Sequence, residues 1–238
     1  NVNGGTLDLN FGSLTNTINV AGGTLANGTV DLSQLNATTG QVSANIAGNL
    51  LGFIKDSAGT LVLSGFNTFT GGVDVLAGTL QLGSTDALGL NAVTVDGGIL
   101  DLGQQTIANA ITLDAGTIAN GSLTLGQLTA NAGTVAAVLT GTGGFTRNGT
   151  GILTLSGANT FTGGVFVTAG TLAAGSVGAF GANTVTVNGG TLDLGQRALA
   201  NSFILNGGSL VNGTLALGKV TANAGTIGAV LTGTTGFT

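Results

Sequence analysis

Apolar side chains alternate with small polar ones along the chain, in short runs set off by glycine, as in Gly97-Gly98-Ile99-Leu100-Asp101-Leu102. Alternation with a period of two marks strands that bury one face. A glycine followed two residues later by an aliphatic side chain recurs along the whole sequence. The aliphatic residues are Leu7, Leu25, Val42, Leu61, Leu80, Leu100, Ile118, Val135, Leu153, Leu172, Leu192, Leu210 and Ile227. The glycines ahead of them, from Gly5 to Gly225, stand 17 to 20 residues apart. A column this regular at so short a period predicts a coil in which every turn stacks its strand on the next turn, with the column inside. Leu9, Leu63, Leu82, Leu102, Leu155 and Leu194, two residues further on, face inward as well, while Asp8, Asp101 and Asp193 between them face out.

A second strand follows roughly a dozen residues later in a turn, as in Ile111-Thr112-Leu113, Val165-Phe166-Val167, Val185-Thr186-Val187 and Phe203-Ile204-Leu205. Two or three strands per turn result. The expected fold is all-β, a right-handed parallel β-helix (β-solenoid) of about 13 turns of about 18 residues. The hand follows the strong preference of parallel crossovers, and stacking at ~4.8 Å per turn gives a rod roughly 60 Å long. Asn-Gly pairs at Asn27, Asn120, Asn148, Asn188 and Asn212 supply turns, where left-handed backbone costs these residues least.

A longer period lies over the short one. Residues 55–146 align without a gap with 147–238 at a shift of 92, and 56 of the 92 positions are identical. That unit is five turns. Residues 1–54 fit it at a shift of 93, as a partial repeat. The chain reads as one solenoid domain over 1–238. If Asn1 followed Thr238, Gly5 would fall 18 residues after Gly225, in step with the turns. This phase suits a window from a longer coil, or copies stacked end to end as a filament.

Composition narrows the chemistry. Of 238 residues 46 are Gly, and Pro, Cys, His, Met, Trp and Tyr are absent. Disordered chains lack this many β-branched and aliphatic residues, and collagen requires a Gly triplet and proline. Without cysteine, stability rests on packing and backbone hydrogen bonds. A net charge of −5, with Lys55, Arg147, Arg197 and Lys219 scattered, argues against a nucleic-acid partner. No apolar stretch is long enough for a membrane helix, so no membrane insertion by this segment is expected.

The segment Gly59-Thr60-Leu61-Val62-Leu63-Ser64-Gly65-Phe66-Asn67-Thr68-Phe69-Thr70-Gly71-Gly72-Val73 and its copy from Gly151 to Val165, each followed by Ala-Gly-Thr-Leu (77–80 and 169–172), resemble the autotransporter passenger-associated β-helix repeat. Phe69 and Phe161 stand where that repeat usually has tyrosine. The resemblance covers residues 59–89 and 151–181. It implies a bacterial surface or secreted passenger, extracellular or on the cell surface, acting as an adhesin, stalk or scaffold. The partners it implies are host or cell-surface glycans or proteins, while the phase of the two ends suggests further copies of the chain itself.

Some β-helix families cleave polysaccharides, which makes the acids candidate catalysts. Asp8, Asp101 and Asp193 alone recur in all three copies, and five turns place them about 24 Å apart by strand spacing, too far for a glycosidase pair at roughly 5–9.5 Å. They read as exposed, solubilising charges. Asp31, Asp56, Asp74, Asp86, Asp96 and Asp114 are neutral in other copies, and with no His or Tyr few proton-transfer groups remain. A filament subunit is the alternative to a structural passenger, and a polysaccharide-active enzyme the third reading. No catalytic residue, metal ligand or cofactor is expected, and no calcium motif of the Gly-Gly-x-Gly-x-Asp type occurs. The Thr-x-Thr pairs at 68/70, 160/162 and 184/186 are too few for an ice-binding face. Asn-x-Ser/Thr sequences at Asn27, Asn36, Asn120, Asn148 and Asn212 read as turns. Phe53, Phe66, Phe69, Phe145, Phe161, Phe203 and Phe237 read as core or strand-end packing.

Overall fold

Leu80 stands between Leu61 and Leu100 on neighbouring strands, each pair in parallel register, and Leu100 pairs in turn with Ile118. All four are completely buried. Successive copies of one strand thus form a wall, because identical alternation in each turn lets every inward side chain rest on its own kind. The computed structural model describes residues 1–14, 17–31, 33, 35–48, 52–216 and 219–233. Phe237 lies outside them.

The chain forms two compact units, Asn1–Ser122 and Leu123–Thr238. Each is a parallel β-solenoid, and between them they hold about twelve turns, close to the thirteen counted in the sequence. No α-helix occurs among the described residues. In the first unit one wall runs Thr6–Asp8, Ile18–Ala26, Leu35–Val42, Thr60–Leu63, Thr79–Leu82, Val93–Asp101 and Ile111–Ala119. A second stack, Phe53–Lys55, Val73–Val75 and Val93–Val95, continues to Ile111–Leu113. Val93–Asp101 serves both because a bulge between Val95 and Ile99 bends it around the corner. A third short stack joins Ser13–Leu14, Thr29–Asp31 and Asn45–Ala47.

In the second unit Gly133–Val135, Ile152–Leu155, Thr171–Ala174, Thr191–Ala198 and Ser209–Ala216 stack in the same way. Its other wall is a parallel sheet of five strands, Phe145–Arg147, Val165–Val167, Val185–Val187, Phe203–Leu205 and Val220–Ala222.

The inward column departs from the expected one in two ways. Val42 pairs with Leu63 rather than Leu61, and Val135 with Leu155 rather than Leu153. A slip of two residues keeps every side chain on its face, so the core survives the change of register. Leu7 is 39% exposed and Ile227 is half-buried, whereas the eleven between them are fully buried. Leu7 meets a neighbouring strand only at Leu25 among the described residues.

Other expectations divide. Asn27, Asn120 and Asn212 adopt left-handed backbone, with φ of 51°, 53° and 57°, but Asn148 and Asn188 do not. Asn36 lies in the strand Leu35–Val42 rather than in a turn. Phe53, Phe69, Phe145, Phe161 and Phe203 are buried, and the rings pair at 6.1 Å (Phe53 with Phe69) and 6.5 Å (Phe145 with Phe161). Phe66, expected to pack, is 61% exposed. It sits one residue from the buried Asn67, and the period of two turns it outward.

Candidate functional site

The three recurring aspartates are not idle surface charges. Asp101 accepts the backbone N–H of Gly103 at 2.9 Å and the side-chain amide of Asn120, one turn on, at 2.8 Å. Asp193 does the same with Gly195 and Asn212, at 2.8 and 2.9 Å. Asp8 accepts from the Asn10 N–H at 2.7 Å and from Asn27 at 2.9 Å. Each carboxylate closes its own tight turn and ties it to the left-handed asparagine of the following turn. These bonds, the one from Asn27 first, hold the Asp8 carboxyl below its ordinary value. The outward strand position was legible in the sequence; the clamp was not, because it joins residues 19 apart through a side-chain geometry that alternation does not encode.

Gly103 and Gly195 complete this corner. Their φ values are 58° and 61°, and an added Cβ would lie 1.8 Å from the Leu82 carbonyl oxygen and 2.2 Å from that of Ala174. Arg197 caps its corner with bonds to the carbonyls of Ala174, Gly195 and Gly175 at 2.6–2.8 Å.

Two of the four cations are inside. Lys55 and Arg147 have no exposed surface. Their columns run Lys55, Val75, Val95 and Leu113, and Arg147, Val167, Val187 and Leu205, so each cation occupies a core position. Lys55 donates to the carbonyl of Ser57 and, at 3.3 Å, to that of Ala77. Arg147 donates to the carbonyls of Gly151 and, at 3.2 Å, Thr171. Burial pushes both below their ordinary pKa values, opposed at Lys55 by the nearby Asp56 charge. The signal was available, since in Phe53-Ile54-Lys55 and Phe145-Thr146-Arg147 the alternation that buries the phenylalanine also buries the cation.

Where the ladders break, buried asparagines replace them. Asn67 accepts the Ile46 N–H at 2.8 Å and donates to the Ala87 carbonyl at 2.6 Å, and Asn159 repeats this with Leu139 and Ala179 at the same distances. Asn91 donates to the carbonyls of Phe69 and Leu88, and Asn183 to those of Phe161 and Phe180. A buried amide that satisfies both its oxygen and its nitrogen can stand in for a missing backbone partner.

On this framework the first unit carries two adjoining surface depressions. One, of about 390 Å³, lies between residues 85–92 and 106–110, and the other, of about 400 Å³, between residues 66–70 and 86–91. Asp86, Gly89 and Leu90 line both. Leu90 is completely exposed. The second unit has a smaller counterpart of the first, about 220 Å³, lined by Val177, Gly181, Ala182, Asn201 and Lys219 among others. Among the described residues no group of three or more acids gathers in a metal-binding arrangement. Asp56 lies just past the strand Phe53–Lys55, and Asp74 and Asp96 lie on the paired strands Val73–Val75 and Val93–Asp101.

The family model for the passenger-associated-transport-repeat matches residues 53–82 and 145–174. These segments contain the paired phenylalanines, the buried cations and the buried Asn67 and Asn159. A curated relative, the adhesin BmaC autotransporter of Brucella suis biovar 1 (strain 1330), is 35% identical over 216 residues, or 78% of this chain. The chain spans 6% of that protein's length. No solved structure matches it significantly.

Proposed function

We propose, from the premise that this chain is an autotransporter passenger repeat protein, that it is an adhesive and load-carrying stretch of a surface passenger. Its place is outside the cell or at the cell surface. What carries the reading is the turn-on-turn parallel stacking of both units, together with similarity to a protein named as an adhesin. A stack whose backbone groups bond to the turns on either side is held by many distributed contacts, the property a stalk needs. The reading includes a right-handed coil and a five-turn repeat of 92 residues, supported by crossover preference and by the internal identity of the sequence. It assigns no catalytic role, and host-surface proteins or glycans are the partners. The test is binding of the labelled chain to cultured epithelial cells. Saturable binding supports the reading; its absence, or polysaccharide cleavage abolished by replacing one aspartate, contradicts it.

A further inference from the structure

Phe66 and Leu90 are exposed apolar side chains, and each directly precedes an asparagine that fixes the local backbone, the buried Asn67 and the half-buried Asn91. The Phe66 N–H is further held by the Asn45 side chain at 2.9 Å. Between them lies Asp86, exposed, whose carbonyl closes a turn onto the Gly89 N–H at 3.0 Å. The three side chains together line the second depression.

The second copy of the repeat shows what this corner requires. Asn159, Asn183 and Gly181 keep the places of Asn67, Asn91 and Gly89, with the same amide bonds. Phe66, Asp86 and Leu90 are there Ala158, Gly178 and Ala182. The framework therefore folds without a ring, a carboxylate or a leucine at these positions. Stability does not explain them, and three such departures around one concavity point to recognition.

Charge decides the class of partner. The unit Asn1–Ser122 holds eight aspartates and one lysine, a formal charge of −7, and that lysine is Lys55, buried. Every accessible formal charge on its side chains is negative. An anionic ligand is repelled, whereas a long cationic side chain lays its methylene stem on Phe66 and Leu90 and its charge beside Asp86 and the ring face. A depression of about 400 Å³ accommodates one or two such side chains.

We propose that Phe66, Asp86 and Leu90 form a docking site for a basic, aliphatic-rich peptide segment of a partner protein. This rests on the adhesive reading above and specifies its partner. The test uses the whole chain and a variant carrying Phe66→Ala, Asp86→Gly and Leu90→Ala, substitutions that the second copy already tolerates. Fluorescence anisotropy would follow labelled Lys-Leu-Lys-Leu-Lys-Leu, hexalysine and a neutral Gly-Ser hexapeptide, with maltohexaose as an uncharged glycan competitor. The expected result is tightest binding of the Lys-Leu peptide, weakened about tenfold or more in the triple variant, with unchanged thermal unfolding. Equal binding by variant and wild type, no preference over hexalysine, or displacement by maltohexaose would overturn it. Cell binding separates the two readings. A wild-type chain that ignores cells but keeps the peptide preference removes the adhesive role and leaves the site standing, while a triple variant that still binds cells like wild type removes the site as the adhesive contact.

Discussion

The Asp101 carboxylate oxygen that accepts the Gly103 N–H at 2.9 Å also accepts the Asn120 amide at 2.8 Å, so one atom closes a turn and ties it to the turn above. Asp101→Ala loses both bonds and leaves Asn120 in left-handed backbone without its partner. We expect a loss of about 1–3 kcal/mol, read by urea unfolding. Asp101→Asn, which keeps one acceptor oxygen, should lose less.

Acid should act through the same corner. Asp8 is held below its ordinary value by Asn27 and Asn10, and Asp31 by the Ser33 hydroxyl and N–H. A carboxyl with a lowered folded pKa adds stability above its unfolded value and loses it as the pH falls through the folded one. Stability should therefore decline as the pH drops below about 4, and Asp8→Asn should flatten that decline in a pH series of unfolding midpoints.

Lys55 gives a slope of the same sign at the alkaline end, because there the fold disfavours the charged form. Its folded pKa lies below the ordinary 10.5, so between the two values the unfolded chain binds more protons. Stability should rise with pH through that window as the buried ammonium is neutralised. Lys55→Met should abolish the rise and, by removing a desolvated charge at similar volume, leave stability at neutral pH unchanged or increased. A clear loss of stability in Lys55→Met at neutral pH would contradict this.

Asn67 and Asn159 are placed as substitutes for backbone partners. Asn67→Leu strands the Ile46 N–H and the Ala87 carbonyl, and Asn159→Leu those of Leu139 and Ala179. Each should cost about 2–6 kcal/mol, since two groups are stranded and an unsatisfied buried group loses about 1–3. Hydrogen exchange should show new opening at Ile46 and Leu139.

The division between what could be read and what could not has a physical cause. Strand period and turn period are local, so Leu80 between Leu61 and Leu100 follows from counting. The two-residue slips at Val42 and Val135 leave the faces unchanged and therefore leave no mark in the alternation. Lys55 and Arg147 were legible by the same rule that buries Phe53 and Phe145, yet residue type argued against it. The clamps of Asp8, Asp101 and Asp193 depend on corners, where chain direction changes and a period of two no longer predicts facing, whereas the exposure of Phe66 follows the alternation that buries Asn67 and was hidden only by its residue type. The cluster of Phe66, Asp86 and Leu90 forms only when two neighbouring turns are stacked.

Parallel stacking is tested most directly by engineered disulfides between Ile152–Leu155 and Thr171–Ala174, in a chain that has no cysteine of its own. Ile152 pairs with Thr171 and Thr154 with Ala173, all on the outward face. Cysteine pairs at 152/171 and at 154/173 lie about 4.8 Å apart along the stack and should oxidise readily, whereas the diagonal pairs 152/173 and 154/171, at about 8 Å, should not. Efficient bridging of the diagonal pairs with none of the straight ones would mean antiparallel hairpins and would contradict the solenoid.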